Sequence, residues 1–267
     1  MTRLDSLREV IESFDRLVVA FSGGADSAFL AWVANDTLGS ERVMAVTAVS
    51  PSLAADERAD CARLARSWGL RWTEVATDEM DRAAYQRNDG DRCYHCKDAL
   101  MDAMVPLAEE VEATVVLGVN VDDLGEHRPG QHAAARRGAR FPLVEAGFSK
   151  EELRATSQVL GLETWDKPAA ACLASRVPYG TTVTVGVLSS VERAEAALRR
   201  LGFASLRVRH YEDVARLEVP VGDLQRVLDR RLEVIEAVRR GGYRYVTVDL
   251  EGFRSGNLNA ALGTSAP

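Results

Sequence analysis

Apolar residues run through this chain in two rhythms. Leu17 to Phe21, Arg42 to Val49, Arg71 to Ala76 and Thr114 to Gly118 are short apolar runs that predict strands. Between them the spacing is helical. Leu4, Leu7, Val10 and Ile11 mark an amphipathic helix over Leu4 to Phe14. Phe29, Leu30 and Val33 mark one ending near Gly39, and Cys61, Leu64, Ala65 and Trp68 one closed by Gly69. Cys61 sits on that apolar face and reads as a small core residue. Strands alternating with helices imply an α/β fold, a doubly wound and mainly parallel sheet with helices on both faces.

From Val183 the rhythm changes. Val187, Val191, Ala194, Leu198 and Leu201 predict a helix stopped at Gly202. Leu206 to His210 and Val214 to Val219 predict a hairpin, Leu224 to Val238 a helix, and Arg244 to Val248 a last strand. This order predicts a small α+β domain over 181–257, after a nucleotide-binding domain over 1–180 and before a disordered tail at 258–267.

The 267 residues, 46% of them apolar, suffice for such a two-part core. A net charge of -7 argues against a protein that holds nucleic acid by bulk electrostatics. No apolar run is long enough to span a membrane, and Met1 to Asp15 is too charged for a signal peptide. Four cysteines do not make a disulfide scaffold, so a reducing cytoplasm is expected.

The first strand runs into Ser22-Gly23-Gly24-Ala25-Asp26-Ser27, and a helix follows. Strand, Gly-rich turn and helix in this order make a phosphate cradle. The glycines let backbone approach an anion, and the helix N-terminus points N–H groups at it. Ser22 and Ser27 can add hydroxyl donors, and Asp26 can hold a Mg²⁺ that bridges phosphates. The turn has no lysine, so it is not a Walker loop. Ser50 ends the second strand and Gly118 the fourth, where doubly wound folds put ligand-facing loops. Asp122 and Asp123 follow as ligand-facing acids or as a helix cap with solvated acids. Arg136, Arg137 and Arg140 read as a solvated face, and Ser149 to Glu152 matches a capping box.

Cys93-Tyr94-His95-Cys96 opens a helix running toward Glu110. Cysteines three apart at a helix N-terminus suit a redox disulfide, a metal site or two buried thiols. Between Pro168 and Pro178 no period is visible, and Cys172 lies there beside Ser175 and Arg176. It is a candidate nucleophile or ligand, or a plain buried cysteine. Arg207 and Arg209 leave one face of their strand. They suit a phosphate between them, or a solvated face.

Taken together, SGGADS, RCYHCK, Asp122/Asp123 with Arg128-Pro129-Gly130, and Ala171 to Gly180 resemble the LarE family over roughly Leu4 to Asn257. These are ATP-dependent sulfur transferases of nickel-pincer cofactor synthesis. The resemblance implies a PP-loop ATP pyrophosphatase fold with Ser22, Gly23, Gly24, Asp26, Ser27, Ser50 and Gly118 holding ATP and Mg²⁺. It implies a small-molecule substrate, pyridinium-3,5-biscarboxylic acid mononucleotide, held by Arg176, Arg207 and Arg209, and no membrane or nucleic-acid partner. Cys172 matches the family's sulfur-donating cysteine. With Cys93 and Cys96 it implies a [4Fe-4S] cluster; a sacrificial Cys172 and a structural zinc with His95 are the competing readings. A homo-oligomer, a hexamer in the family, is also implied. A tRNA thiolase would share the loop but need a basic surface. A nucleotide-binding regulator would leave the three cysteines without a task.

Overall fold

The computed structural model describes residues 2–125, 129–168 and 171–254. In chain order its elements begin with α1 (Arg3–Glu12), β1 (Leu17–Ala20), α2 (Ala25–Leu38), β2 (Val43–Val49), α3 (Ala55–Ser67) and β3 (Arg71–Ala76). They continue with α4 (Ala83–Gln86), α5 (Arg92–Glu110), β4 (Thr114–Leu117), α6 (Pro129–Arg136), α7 (Pro142–Glu145) and α8 (Lys150–Val159). After a 3-10 turn at Leu173–Arg176 come α9 (Val185–Arg200), β5 (Arg207–Tyr211), β6 (Val214–Glu218), α10 (Leu224–Asp229), α11 (Arg231–Arg240) and β7 (Tyr245–Val248). Glu126, His127 and Arg128 of the expected acidic and Arg-Pro-Gly stretch, and the expected tail, lie outside the described residues.

The chain forms two compact units, one of residues 1–79 and 93–170, the other of 80–92 and 171–267. The first holds a parallel sheet of order β3-β2-β1-β4, the expected doubly wound arrangement. Alternation along β1 divides its core. Leu17 and Val19 turn toward Leu7, Ile11, Phe29 and Phe148. Val18 turns toward Met101 and Met104 on the opposite face. Each such fully buried side chain contributes about 1.5–3 kcal/mol through lost water contact. Phe29 and Phe148 meet edge to face with ring centroids 5.3 Å apart, which locks α2 against the chain leading into α8.

The second unit holds the sheet β5-β6-β7, with β5 and β6 antiparallel and β7 parallel to β6. Leu188, Val191 and Leu198 of α9 and Val234 and Val238 of α11 are buried in it. The expected single helix over 224–238 is broken at Arg230, whose φ of -103° and ψ of 24° leave the helical region. Arg230 and Arg226 both donate to the Leu201 carbonyl, the last turn of α9, and this tertiary capping outweighs helical continuity.

Residues 80–92 belong to the second unit although they precede most of it in the chain. The cause is Asn88. Its buried Nδ2 donates to the carbonyls of Val177 (3.2 Å), Pro178 (2.7 Å) and Thr181 (3.0 Å). Backbone bonds from Gly180 to Asn88 and from Val183 to Gln86 complete the seam.

His210, on β5, is buried with its Nδ1 3.2 Å from the Tyr243 hydroxyl. Burial pushes its pKa below the ordinary histidine value, with Glu212 opposing. The folded state therefore prefers the neutral ring. Its contribution is present above about pH 6.5 and is lost as pH falls through the depressed value. Urea midpoints should fall from about pH 7.5 to about pH 5.5, and His210→Gln should flatten part of that slope. An equal slope in the variant would clear His210 of any part in it.

Candidate active site

The turn after β1 is shaped by its glycines and closed by its serines. Gly23 has φ +69°, where side chains are strained, and an added Cβ would stand 3.0 Å from the Cys61 sulfur. Cys61 is thus a buried floor beneath the turn, and burial pushes its thiol pKa up. Ser27 Oγ lies 3.0 Å from Ser22 Oγ and 3.2 Å from the Ser22 N–H, and donates to the Gly24 carbonyl at 3.2 Å. The Ser27 hydroxyl, expected as a donor to phosphate, is therefore engaged in closing the loop. Gly24 caps α2 without a side-chain bond, so the first N–H groups of the helix have no side-chain acceptor at the cap.

Asp26 stands in the first turn of α2. Its Oδ1 accepts from Asn120 Nδ2 at 3.3 Å, and its Oδ2 pairs with Lys150 Nζ. Asn120 is itself fixed, because its Oδ1 accepts the N–H groups of Asp122 (3.0 Å) and Asp123 (3.3 Å). Asp122 and Asp123 thus serve as caps: Asp122 Oδ2 accepts the Lys150 N–H at 2.7 Å, and Asp123 Oδ2 the Asn120 N–H at 3.1 Å. Lys150 also opens the helix whose capping box at Ser149 and Glu152 is formed as expected. Reading along the chain misses Lys150 and Asn120, because nothing local to them points at a residue so distant in sequence.

Gly118 follows β4 beside the start of α2. A Cβ there would stand 2.8 Å from the Ser27 nitrogen and 2.9 Å from the Asp26 carbonyl carbon. Backbone cannot yield as a flexible side chain can. Gly118→Ala should cost on the order of 1–3 kcal/mol and shift the start of α2. A lower melting temperature with weaker ATP binding is the expected result; unchanged values would mean that the strand end and α2 part freely.

Beyond β2, Ser50 donates to Glu79 Oε1 and lies 2.8 Å from Ser52 Oγ, which also donates to Glu79 Oε1 at 3.0 Å. Glu79 is buried, a partner the sequence reading did not single out.

Cys93 is exposed and Cys96 half-buried on the first turn of α5, as their spacing predicts. Cys172 is half-buried and precedes the 3-10 turn Leu173–Arg176. Arg92 holds that turn, with its Nη1 donating to the Ala174 carbonyl at 2.8 Å. Among the described residues no three His, Cys, Asp or Glu side chains are gathered as a metal would require.

Residues 2–103 match the NAD synthase family model. The pyridinium-3,5-bisthiocarboxylic acid mononucleotide synthase of Lactiplantibacillus plantarum is 37% identical over 265 residues, covering 98% of this chain and 95% of that protein. This chain belongs to that synthase family, the LarE family. An uncharacterised protein of Synechocystis is 46% identical over 98% of both chains, and one of Methanocaldococcus jannaschii 24% identical over 90% of this chain and 91% of its own. The family's fold, an α/β PP-loop domain of the ATP-using kind, is the one seen in the first unit.

In this LarE-family chain the second unit gathers arginines around two buried glutamates. Arg176 makes a two-pronged pair with Glu195 at 2.9 and 3.1 Å, both side chains buried. It also donates to the Cys172 carbonyl at 3.0 Å, tying the cysteine's loop to α9. Arg199 reaches Glu195 at 2.9 Å. Arg209 pairs with Glu218 at 2.8 Å and donates to the Ser175 carbonyl at 2.7 Å, while its buried Nε has no hydrogen-bond partner among the described residues.

Arg207 lies over the Phe253 ring at 5.3 Å. Its pKa is lowered to about 10, by burial first and then by repulsion from Arg176 and Arg209, with Glu195 and Glu218 opposing. In sequence Arg207 and Arg209 suit a phosphate or a solvated face, and carboxylates from other elements join them here. Glu195 and Glu218 already supply buried negative charge here. Glu195 was discoverable in sequence as the one acid flanked by Val191, Ala194 and Leu198 on the apolar face of α9.

Proposed function

We propose that this chain is an ATP-dependent sulfur transferase acting on pyridinium-3,5-biscarboxylic acid mononucleotide. A substrate carboxylate oxygen attacks the α-phosphorus of ATP, the bond to the β-phosphate breaks, and pyrophosphate leaves. The sulfur of a hydrosulfide then attacks the acyl carbon, the bond to AMP breaks with its electron pair going to AMP, the sulfide's proton is lost, and a thiocarboxylate remains. The product serves nickel-pincer cofactor synthesis. The observation that carries the reading is the glycine-framed turn with Asp26 and Lys150 beside it, in a chain of the synthase family.

Each residue has a physical task. Backbone N–H groups of Gly23, Gly24 and Ser27, framed by the Ser22–Ser27 closure, stabilise the pyrophosphate as charge develops on it. Asp26 supplies the oxygen ligand for its Mg²⁺. Gly118 lets the start of α2 pack against the strand end and so places Asp26 and Ser27, and Ser50, held by Glu79, is given to the nucleoside. Arg207, Arg209 and Arg176 receive the mononucleotide phosphate, which would relieve the repulsion that Arg176 and Arg209 exert on Arg207. Arg207→Ala should weaken mononucleotide binding by about tenfold to a hundredfold, or about 1.4–2.7 kcal/mol, and leave ATP binding within about threefold. Isothermal titration with each ligand checks this; equal losses would remove the arginines from substrate recognition.

For sulfur, we propose that Cys93, Cys96 and Cys172 hold a [4Fe-4S] cluster, as the family resemblance implies and the softness of thiolates allows. Three thiolates are soft ligands suited to iron, and the first two cysteines stand on the first turn of α5. Such a cluster would supply an iron site to which sulfide is delivered and from which it passes on. The chain is further proposed to act as a homo-oligomer, which light scattering would test.

A further inference from the structure

The phosphate turn has no lysine, and the charge count beside it is incomplete without one. We propose that Lys150 supplies this cation by exchange. It covers Asp26 while the loop is empty, and passes to phosphate oxygens when a divalent ion takes Asp26. The inference rests on the reading that this loop holds magnesium pyrophosphate.

Three observations carry it. Both carboxylate oxygens of Asp26 are taken, Oδ2 by Lys150 Nζ and Oδ1 by Asn120 Nδ2 at 3.3 Å. A divalent ion therefore has to displace a partner, and an ammonium and Mg²⁺ repel on a shared oxygen. The pair is also reachable. The Lys150 and Asp26 side chains are 35% and 24% exposed, whereas the Arg176–Glu195 pair is 5% and 0% exposed.

The third observation is a fixed root with a free tip. The Lys150 N–H is held by Asp122 Oδ2 at 2.7 Å, and the capping box of Ser149 and Glu152 fixes the turn around it. Asn120 is buried and pinned by two N–H bonds, so it holds its place. The Lys150 side chain is 35% exposed and reaches Asp26 only through its ammonium. A lysine is a compact point charge with no fixed fork, so it suits both a carboxylate and a polyphosphate oxygen. When Mg²⁺ binds Asp26, the ammonium is released beside the anion that the ion brings.

The probe is Mn²⁺, followed by electron paramagnetic resonance on the full chain with and without inorganic pyrophosphate. Wild type, Lys150→Met, Lys150→Arg and Asp26→Asn are compared. Without pyrophosphate, Lys150→Met should bind Mn²⁺ at least about tenfold more tightly than wild type, because Asp26 is uncovered. With pyrophosphate it should bind at least about tenfold more weakly, because the anion has lost its cation. Lys150→Arg should fall between in both arms, and Asp26→Asn should lose Mn²⁺ in both. Lys150→Gln repeats the test should Met disturb the start of α8.

A Lys150→Met protein that binds Mn²⁺ alone no more tightly than wild type would overturn the exchange. So would one that binds Mn²⁺ with pyrophosphate as well as wild type, or that weakens in both arms as a lost structural tie would. Wild type that takes up no Mn²⁺ with pyrophosphate would overturn the loop reading itself, a failure recognisable because it precedes any variant.

Discussion

Asp26→Asn is expected to lower ATP-dependent pyrophosphate release by at least about a thousandfold, about 4 kcal/mol of barrier. The carboxylate is the loop's acid, and the amide has the same shape but cannot neutralise a divalent ion. Stability should change little. The Lys150–Asp26 pair is about a quarter to a third exposed, and pairs of that kind contribute at most about 1 kcal/mol. A melting temperature near wild type with pyrophosphate release gone would place Asp26 in the chemistry. Unchanged release would remove the loop from the mechanism.

Cys172→Ala should have an effect as large on the other half of the reaction. Thiocarboxylate formation should fall below detection, while substrate-dependent release of AMP and pyrophosphate stays within about threefold of wild type. Anaerobically reconstituted wild type should be brown, and Cys93→Ala, Cys96→Ala and Cys172→Ala should each lose the colour if, as proposed, all three thiolates hold the cluster. The contrary outcome is specific. Iron-free protein that transfers a single sulfur and leaves Cys172 lighter by the mass of H₂S would make that cysteine the sulfur source.

What could be read along the chain was whatever local geometry decides. The turn after β1 declared itself because Gly23 and Gly24 sit between an apolar run and a helical one, all within a few residues. The capping box at Ser149 and the C-x-x-C at the start of α5 were legible for the same reason. Lys150 was not, because its partner is 124 residues away and at the start of a helix it resembles any surface lysine. The join between residues 80–92 and the second unit was also hidden. It rests on Asn88, whose left-handed φ of 59° and three carbonyl partners exist only once 177–181 has come alongside. Arg207 and Arg209 were legible as a pair by alternation, but the glutamates buried beside them lie on α9 and β6.

The most direct test of the central claim is anaerobic incubation with Mg-ATP, sulfide and pyridinium-3,5-biscarboxylic acid mononucleotide, followed by mass spectrometry of the mononucleotide. The account predicts a product in which sulfur replaces a carboxylate oxygen, with one AMP and one pyrophosphate released for each sulfur gained and none released without the mononucleotide. AMP and pyrophosphate released at the same rate without the mononucleotide, or released with it while its mass stays unchanged, would contradict the account.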